Sequence, residues 1–363
     1  FAIGVIDEAH HSTAKSYRKV IEHYQQSDKF FLLGVTATPD RKDEKALGQI
    51  FDQVAYRYEL INAIADGFLV DVVQQSVYVK DLDLSAARTT AGDLNGKDLA
   101  TIMEYEKNLH GIAHPVVDIA GDRKTLLFTA SVGHAERLCE ILNRHCHNSA
   151  RWVDGKTPKD RRREILSEFK AGGFQFLCNC GVFTEGFDEP GIEVVAMAKP
   201  TKSRALYSQM VGRGTRPLDG LVDQYDSAEA RRAAIEASAK PHVEVLDFVG
   251  NAGRHKLVTT ADILGGKYDD EVIEELAQRQ QSKNGAGRPA NVQEELEKVK
   301  IEIAKRKDRE RREAERRNKL RIRASYTTNQ INPFDLLDIR PDRQMYWQKD
   351  KPGQEELNHY RDF

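Results

Sequence analysis

Phe1-Ala-Ile-Gly-Val-Ile-Asp-Glu-Ala-His10 opens the chain as an apolar run that ends in two adjacent carboxylates and a histidine. Such a run predicts a buried β-strand, and the carboxyl ends of strands form the ligand-binding edge of open α/β sheets. At that edge Asp7 is suited to hold Mg²⁺ through water, because this ion prefers hard oxygen ligands and keeps several waters. Glu8 points elsewhere and can orient and deprotonate a water that attacks a phosphoryl group. The alternative is the acidic first turn of a helix.

Three further motifs follow in order along the chain. Phe30 to Pro39 is a second apolar run, which ends in two threonines and a proline that stops a strand. Thr184-Glu-Gly-Phe-Asp188 follows a third strand-like run. Gln209-Met-Val-Gly-Arg-Gly-Thr-Arg216 carries two arginines three residues apart on a predicted helix, so both guanidinium groups lie on one face. A planar, permanently charged guanidinium is suited to stabilise a phosphoryl group during transfer.

In this order the four motifs resemble those of superfamily 2 helicases, over Phe1 to about Val249. The last motif is similar to that of the DNA-translocating branch, which includes the motor subunits of type I and type III restriction systems, repair helicases and phage helicases. The resemblance implies an ATP-dependent helicase or translocase. Its two RecA-like domains would close on ATP and Mg²⁺ and couple hydrolysis to movement on DNA, or to its unwinding.

The resemblance assigns roles to residues of the first two motifs. Asp7 and Glu8 match the Mg²⁺-binding and water-activating carboxylates. His10 matches the histidine that links the ATP site to the partner domain. Thr36 and Thr38 match the motif that couples hydrolysis to movement on nucleic acid. These residues define the expected contribution of the first domain.

The second domain is expected to complete the site. Gly186 and Asp188 match the stretch that touches the nucleotide. Arg213 and Arg216 match the arginine fingers, which stabilise charge on the γ-phosphate, and Gln209 lies beside them. The positions that match nucleic-acid contacts are Thr129, Ser131 and Thr184. The implied partner is single-stranded or duplex DNA, with RNA less favoured.

A motor of this family also needs a glycine-rich phosphate loop that ends in Gly-Lys-Ser or Gly-Lys-Thr, before the first carboxylate motif. No such loop precedes Asp7 in these residues. We therefore expect an N-terminally incomplete motor that is inactive by itself. Gly155-Lys-Thr157 is a poor substitute, because Ala150 stands where the loop requires glycine. A helix start with Thr157 as N-cap is favoured there.

Alternating strand-like and helical stretches predict two α/β domains with parallel sheets, followed by a mainly helical, basic C-terminal extension. Residues 1–80 are assigned to a remnant of the first RecA-like domain, including a strand from Val72 to Val79. Residues 81–121 form the predicted connector, residues 122–265 the second RecA-like domain and residues 266–363 the charged extension. The ATP site is expected between the two domains.

Composition bounds the class of protein. Forty per cent of the 363 residues are hydrophobic and 31% are charged, and no apolar run is long enough to cross a bilayer. The net charge of −2 means that any nucleic-acid surface must come from local clustering. The four cysteines form no Cys-x-x-Cys pair, and reduced thiols predict a cytoplasmic location. Cys139 and Cys146 lie near His145 and His147, but a helix end explains this grouping better than a zinc site.

The C-terminal extension is different in character. Residues 292–323 contain no glycine or proline, and Lys298 to Arg323 holds thirteen Lys and Arg against five Asp and Glu. This pattern predicts a long solvated helix rather than a sustained coiled coil, and a basic helix can also track a phosphate backbone. Two other functions are open: a degenerate or split motor that only binds nucleic acid or a partner, and the motor part of a restriction system.

Overall fold

The computed structural model describes residues 3–27, 29–36, 47–182, 187–266, 268–281 and 289–323. Its N-terminal part is a strand–helix–strand unit made of β1 (Ile3–Ile6), a 3₁₀ helix (Ala9–Thr13), α1 (Lys15–Tyr24) and β2 (Phe31–Gly34). The two strands pair in parallel. The predicted strand is therefore present, but its predicted burial is wrong, because Ile3 and Val5 are 62% and 63% exposed. Each strand has one neighbour in the described part of the chain.

The remaining described strands are β3 (Asp71–Asp83), β4 (Thr89–Thr90), β5 (Asp93–Leu94), β6 (Thr125–Phe128), β7 (Ala150–Asp154), β8 (Phe176–Cys180), β9 (Val194–Met197), β10 (His242–Asn251) and β11 (Ala290–Asn291). β4 and β5 form a hairpin, and the other seven form one sheet in the order β11-β3-β10-β9-β6-β8-β7. Only its edge strand β11 runs antiparallel to its neighbour. The predicted parallel α/β class is confirmed for this sheet.

Helices cover both faces of the seven-stranded sheet, as a parallel sheet requires. They are α2 (Leu60–Ala65), α3 (Gly96–Met103), α4 (Glu106–Ala120), α5 (Val132–His145), α6 (Lys159–Lys170), α7 (Arg204–Gly212), α8 (Ala228–Glu236), α9 (Thr260–Leu264), α10 (Asp270–Gln281) and α11 (Val292–Arg323). Successive strand residues enter opposite cores: Leu126 and Phe128 pack with α6 and α7, whereas Leu127 packs with α3, α4 and α5.

The strand predicted from Val72 to Val79 does not belong to the N-terminal sheet. It is part of β3, which pairs in parallel with β10 from Asp71 opposite His242 to Tyr78 opposite Val249. The local alternation of apolar residues predicts a strand but not its partner, which here lies about 170 residues away in the sequence. The assignment of this strand to the first domain is therefore corrected.

The predicted connector also contributes to the main core. Leu109, Ile112 and Val116 on α4 are fully buried in the cluster under α5. A helix with such an apolar stripe is a core element of the seven-stranded domain rather than a link between domains. The interpretation of this segment as a connector is corrected accordingly.

Two compact units are present, residues 1–305 and residues 306–363. The predicted long helix is confirmed as α11. Its first three turns are not solvated, however, because Val292, Leu296, Val299 and Ile303 are at most 6% exposed and join the core of the first unit. Their spacing of three and four residues puts them on one face. No helix in the described residues is both long enough and apolar enough to span a membrane.

Candidate nucleotide-binding site

The two N-terminal carboxylates lie directly after β1. Asp7 is exposed, and its Oδ1 accepts the backbone N–H of Glu8 at 2.9 Å. Glu8 has a left-handed backbone, with φ 49° and ψ 52°, which is uncommon for a residue with a side chain. Such strain is found where function fixes a side-chain direction. The alternative of an acidic first helical turn is wrong, since the following 3₁₀ helix has no acidic residue there.

Backbone contacts bring the second motif to the same edge. The N–H of Val35 donates to the carbonyl of Ile6 at 2.8 Å, and the N–H of Ala9 donates to the carbonyl of Val35 at 2.9 Å. Thr36, the next residue, therefore lies beside the turn that carries Asp7 and Glu8. The structure thus brings together Asp7, Glu8 and the first of the two predicted coupling residues, Thr36.

The predicted arginine fingers lie at the amino edge of the seven-stranded sheet, where the N–H of Val70, just before β3, donates to the carbonyl of Thr215 at 2.8 Å. Arg213 caps the end of α7, and its Nη1 donates to the carbonyl of Phe187 at 2.7 Å. Arg216 Nε lies 3.3 Å from Asp188 Oδ1, and both side chains are more than half exposed. Gln209 lies one helical turn before Arg213 on α7, so the two residues share a face. The structure therefore joins the third and fourth motifs.

A buried lysine that the motifs did not reveal fixes this edge. Lys240 is 2% exposed, and its Nζ donates to the carbonyls of Pro190 at 2.6 Å and Arg216 at 2.7 Å. Burial lowers the pKa of Lys240 to about 8. The negative charges of nearby Glu193 and Glu189 oppose this shift, because they favour the protonated lysine. One side chain thus connects the loop after Asp188 to the backbone of the second arginine.

Helix α7 is itself held by a buried polar network. Tyr207 Oη and Gln74 Nε2 both donate to Oδ2 of Asp247, at 2.6 and 2.8 Å. Burial raises the pKa of Asp247 to about 7, although these two hydrogen bonds oppose the rise. Gly214, between the two arginines, packs so closely on the sheet that a Cβ would lie 2.5 Å from Val243. These contacts determine where residues Arg213 to Arg216, here called the arginine loop, leave α7.

The predicted nucleic-acid contact by Thr129 is corrected. Thr129 is 1% exposed, and its hydroxyl donates to the carbonyl of Asn179 at 2.8 Å, so it joins the ends of β6 and β8. Ser131 caps α5, since its Oγ accepts the N–H of His134 at 2.9 Å and also donates to the carboxylate of Glu104. Only the second of these two residues keeps exposed surface at the sheet edge.

The remaining predicted residues fall outside what can be described. Thr38, Thr184 and Gly186 lie outside the described residues, as does the side chain of His10. Lys240 and Asp247 were missed because a buried charge has no local sequence signature.

The Gly-Lys-Thr segment is a turn. Asp154 Oδ1 accepts the backbone N–H groups of Lys156 and Thr157 at 3.1 and 2.7 Å, and the Thr157 hydroxyl at 2.7 Å. These bonds, chiefly those from Thr157, lower the pKa of Asp154. The prediction of Thr157 as N-cap is wrong by one residue, because Pro158 precedes α6.

Comparison with known proteins gives two protein-family matches. The helicase conserved C-terminal domain matches residues 107–217, and the res subunit of type III restriction enzymes matches residues 1–41. The first match covers β6 to β9 and the arginine loop. The second covers the carboxylate and threonine motifs.

Individual relatives agree with these matches. IRC3 of Saccharomyces cerevisiae, named as an ATP-dependent helicase, is 31% identical over 283 residues, which are 75% of this chain and 38% of that protein. The EcoKI endonuclease subunit of a type I restriction enzyme from Escherichia coli is 22% identical over 311 residues, 73% of this chain and 26% of that protein. The chain spans less than two fifths of the length of these relatives.

A solved structure supports the fold. The fragment of an HsdR subunit of a type I restriction enzyme from Vibrio vulnificus superposes with a TM-score of 0.51 at 20% identity, over 71% of this chain and 50% of that chain. The likeness confirms the RecA-like α/β fold. The two family matches, the relatives and the four ordered motifs identify the chain as a member of the superfamily 2 helicases.

Proposed function

We propose that this chain acts in an ATP-dependent DNA translocase or helicase, whose two domains close on Mg-ATP and convert hydrolysis into movement. The proposal depends on the arrangement of Arg213 and Arg216 at the amino edge of the seven-stranded sheet. Both are tied to the Phe187–Asp188 backbone or side chain, at 2.7 and 3.3 Å. Arginines anchored at such an edge are suited to reach a phosphoryl group held by another domain.

The N-terminal unit supplies the complementary groups. Asp7 is an exposed carboxylate, so it fits the role of holding hydrated Mg²⁺, which neutralises phosphate charge when bound. Glu8 orients and deprotonates the attacking water. Thr36 and Thr38 couple the nucleotide state to movement, and His10 links the site to the other domain. Family membership supports each of these assignments.

The second domain is proposed to complete the nucleotide contacts. Gly186 and Asp188 touch the nucleotide from the second domain, and Arg213 and Arg216 stabilise charge that develops on the γ-phosphate. Gln209, on the same helical face as Arg213, helps to position the phosphate or water. No group in this set requires sequence-specific contacts to bases, so we propose movement along DNA without base readout.

Nucleic acid is proposed to cross the carboxyl edge of the sheet, near Ser131 and Thr184. The exposed, basic part of α11 can add contacts to phosphate that weaken as salt rises. Thr129 is omitted because its hydroxyl is buried against Asn179.

The test is ATP hydrolysis by the chain extended upstream to include a phosphate loop, with and without single-stranded DNA, duplex DNA and RNA. Arg213→Ala should lower DNA-stimulated turnover by about 10³-fold or more. Glu8→Gln should keep ATP binding and abolish turnover. Arg232→Ala is the matched control, because the half-exposed side chain of Arg232 pairs with the exposed Glu229 at 3.9 Å. Equal turnover in all variants contradicts the proposal, and DNA binding without any turnover favours the non-catalytic module.

A further inference from the structure

Three histidines from two helices converge on the surface. His110, His114 and His145 each offer a ring nitrogen, and these atoms lie within 4.8 Å of one another. The His114 and His145 rings meet edge to face, with centroids 4.3 Å apart. The cluster differs from the Cys–His grouping that the sequence raised. Cys139 is buried, and burial raises the pKa of its thiol to about 11, which keeps it protonated and unsuited to metal.

The parallel course of α4 and α5 explains the convergence. Glu106, near the start of α4, pairs with Arg137 on α5 at 2.5 Å. His114 lies eight residues further along α4, and His145 lies eight residues further along α5. Both pairs are therefore separated by the same number of residues, as two helices that run side by side in one direction require. His110 and His114 are four residues apart and so lie on one face of α4.

We propose that His110, His114 and His145 form a binding site for a divalent transition-metal cation of the Zn²⁺ class. Three imidazoles with water in the remaining position are an established ligand set for this ion. Zn–N bonds of about 2.0–2.1 Å place tetrahedral ligand atoms about 3.3 Å apart. The nitrogens must therefore approach by about 1.5 Å at most. His114 and His145 are exposed, so rotation about their side-chain bonds can supply this movement.

The surroundings favour a cation. Glu106 Oε1 lies 3.2 Å from His110 Nε2, so this carboxylate can orient the imidazole, as partners of metal-binding histidines commonly do. His145 lies in the last turn of α5, where the helix dipole is negative. Two arginines are nearby in sequence, but Arg137 is paired with Glu106, and Arg144 lies 3.9 Å from Glu140.

The site is separate from the proposed nucleotide site. α5 packs in the core on one face of the seven-stranded sheet, whereas α7, which leads to Arg213, packs in the core on the other face. A bound ion would fasten α4 to α5 and would contact none of the residues assigned to ATP. Metal binding can consequently be tested without disturbing that chemistry.

The test uses the untagged 363-residue chain, titrated with Co²⁺ as a spectroscopic probe and then with Zn²⁺ in competition with a chromophoric chelator. We expect one equivalent of Co²⁺ with an intense tetrahedral d–d spectrum, displaced by Zn²⁺. His114→Ala and His145→Ala should each weaken Zn²⁺ binding at least tenfold. Both substitutions are at exposed positions. A Tm equal to that of the parent protein, measured without metal, verifies that each variant is folded.

Two matched controls decide the assignment. His147→Ala removes an exposed histidine two residues beyond His145, and Cys146→Ser removes the adjacent thiol. Both controls should bind Co²⁺ like the parent protein. The proposal is overturned if the parent binds no stoichiometric Co²⁺, if either control loses binding as strongly as His114→Ala, or if His114→Ala binds normally.

Discussion

Replacement of Lys240 by methionine should destabilise the protein by an amount that grows as the pH rises from 7 to 10. The lysine Nζ is buried and donates to the carbonyls of Pro190 and Arg216 at 2.6 and 2.7 Å. Methionine keeps much of the length of the side chain but offers neither a charge nor a donor. In the variant, the carbonyls of Pro190 and Arg216 therefore lose the hydrogen bond that the lysine Nζ donates to each of them.

Two opposing contributions set the magnitude. Loss of the donor costs about 1–3 kcal/mol for each buried carbonyl. Against this, burial lowers the pKa of Lys240 from 10.5 to about 8, so keeping the lysine charged in the folded state costs about 3 kcal/mol at neutral pH. Methionine removes that charge cost. At pH 7 the two contributions partly cancel, and the variant should differ little from the parent.

The sign of the pH dependence follows from the two pKa values. The unfolded chain binds the lysine proton more tightly than the folded protein, so the parent gains stability as the pH rises between about 8 and 10.5. The parent should gain about 2–3 kcal/mol relative to Lys240→Met between pH 7 and pH 10. Other lysines, tyrosines and cysteines titrate equally in both proteins and cancel in the difference.

Urea unfolding followed by circular dichroism at pH 7, 8, 9 and 10 measures this difference. Lys159→Met, at an exposed position of α6, is the matched control and should show no trend with pH. A free-energy difference for Lys240→Met that stays constant from pH 7 to pH 10 would refute the argument.

Three further substitutions test other buried contacts of the protein. Burial raises the pKa of Asp247 to about 7, so the folded state holds that proton more tightly, and the parent should lose about 4 kcal/mol relative to Asp247→Asn as the pH rises from 4 to 7.5. Urea unfolding of both proteins between pH 4 and pH 7.5 measures this change in relative stability. Gly214→Ala places a methyl group 2.5 Å from Val243 and should lower the free energy of unfolding by about 1–3 kcal/mol. Arg231→Met removes donors to the carbonyls of Asp66 and Tyr225, and should cost about 2–4 kcal/mol in thermal unfolding, whereas Arg232→Met should cost almost nothing.

Local patterns predicted the strands that lead to the site. The runs at residues 124–129, 176–179, 193–197 and 242–248 correspond to β6, β8, β9 and β10. The amphipathic helix predicted from Gly133 to Arg144 corresponds to α5. Apolar periodicity is a local property, so it is visible in the residues of each strand or helix alone.

Partners far apart in sequence could not be predicted in the same way. β3 reads as a strand from its own residues, but its neighbour β10 is contributed by residues about 170 positions later. The buried contacts of Lys240 likewise join loops 24 and 50 residues away. The sequence shows the apolar stripe on the first turns of α11. Because charged residues surround it, however, the sequence predicts a solvated helix, whereas the stripe packs into the core.

The arginine loop combines a fixed backbone with a side chain that is free to exchange its partner. Lys240 holds the carbonyl of Arg216 in the interior, whereas the Arg216 guanidinium meets Asp188 with both side chains more than half exposed. Such an exposed ion pair is worth about 0–1 kcal/mol, which is less than a charge-assisted, two-pronged bond to phosphate provides. Arg216 can therefore leave Asp188 for a phosphoryl group at little cost. The backbone from which the Arg216 side chain extends is meanwhile held in place by Lys240.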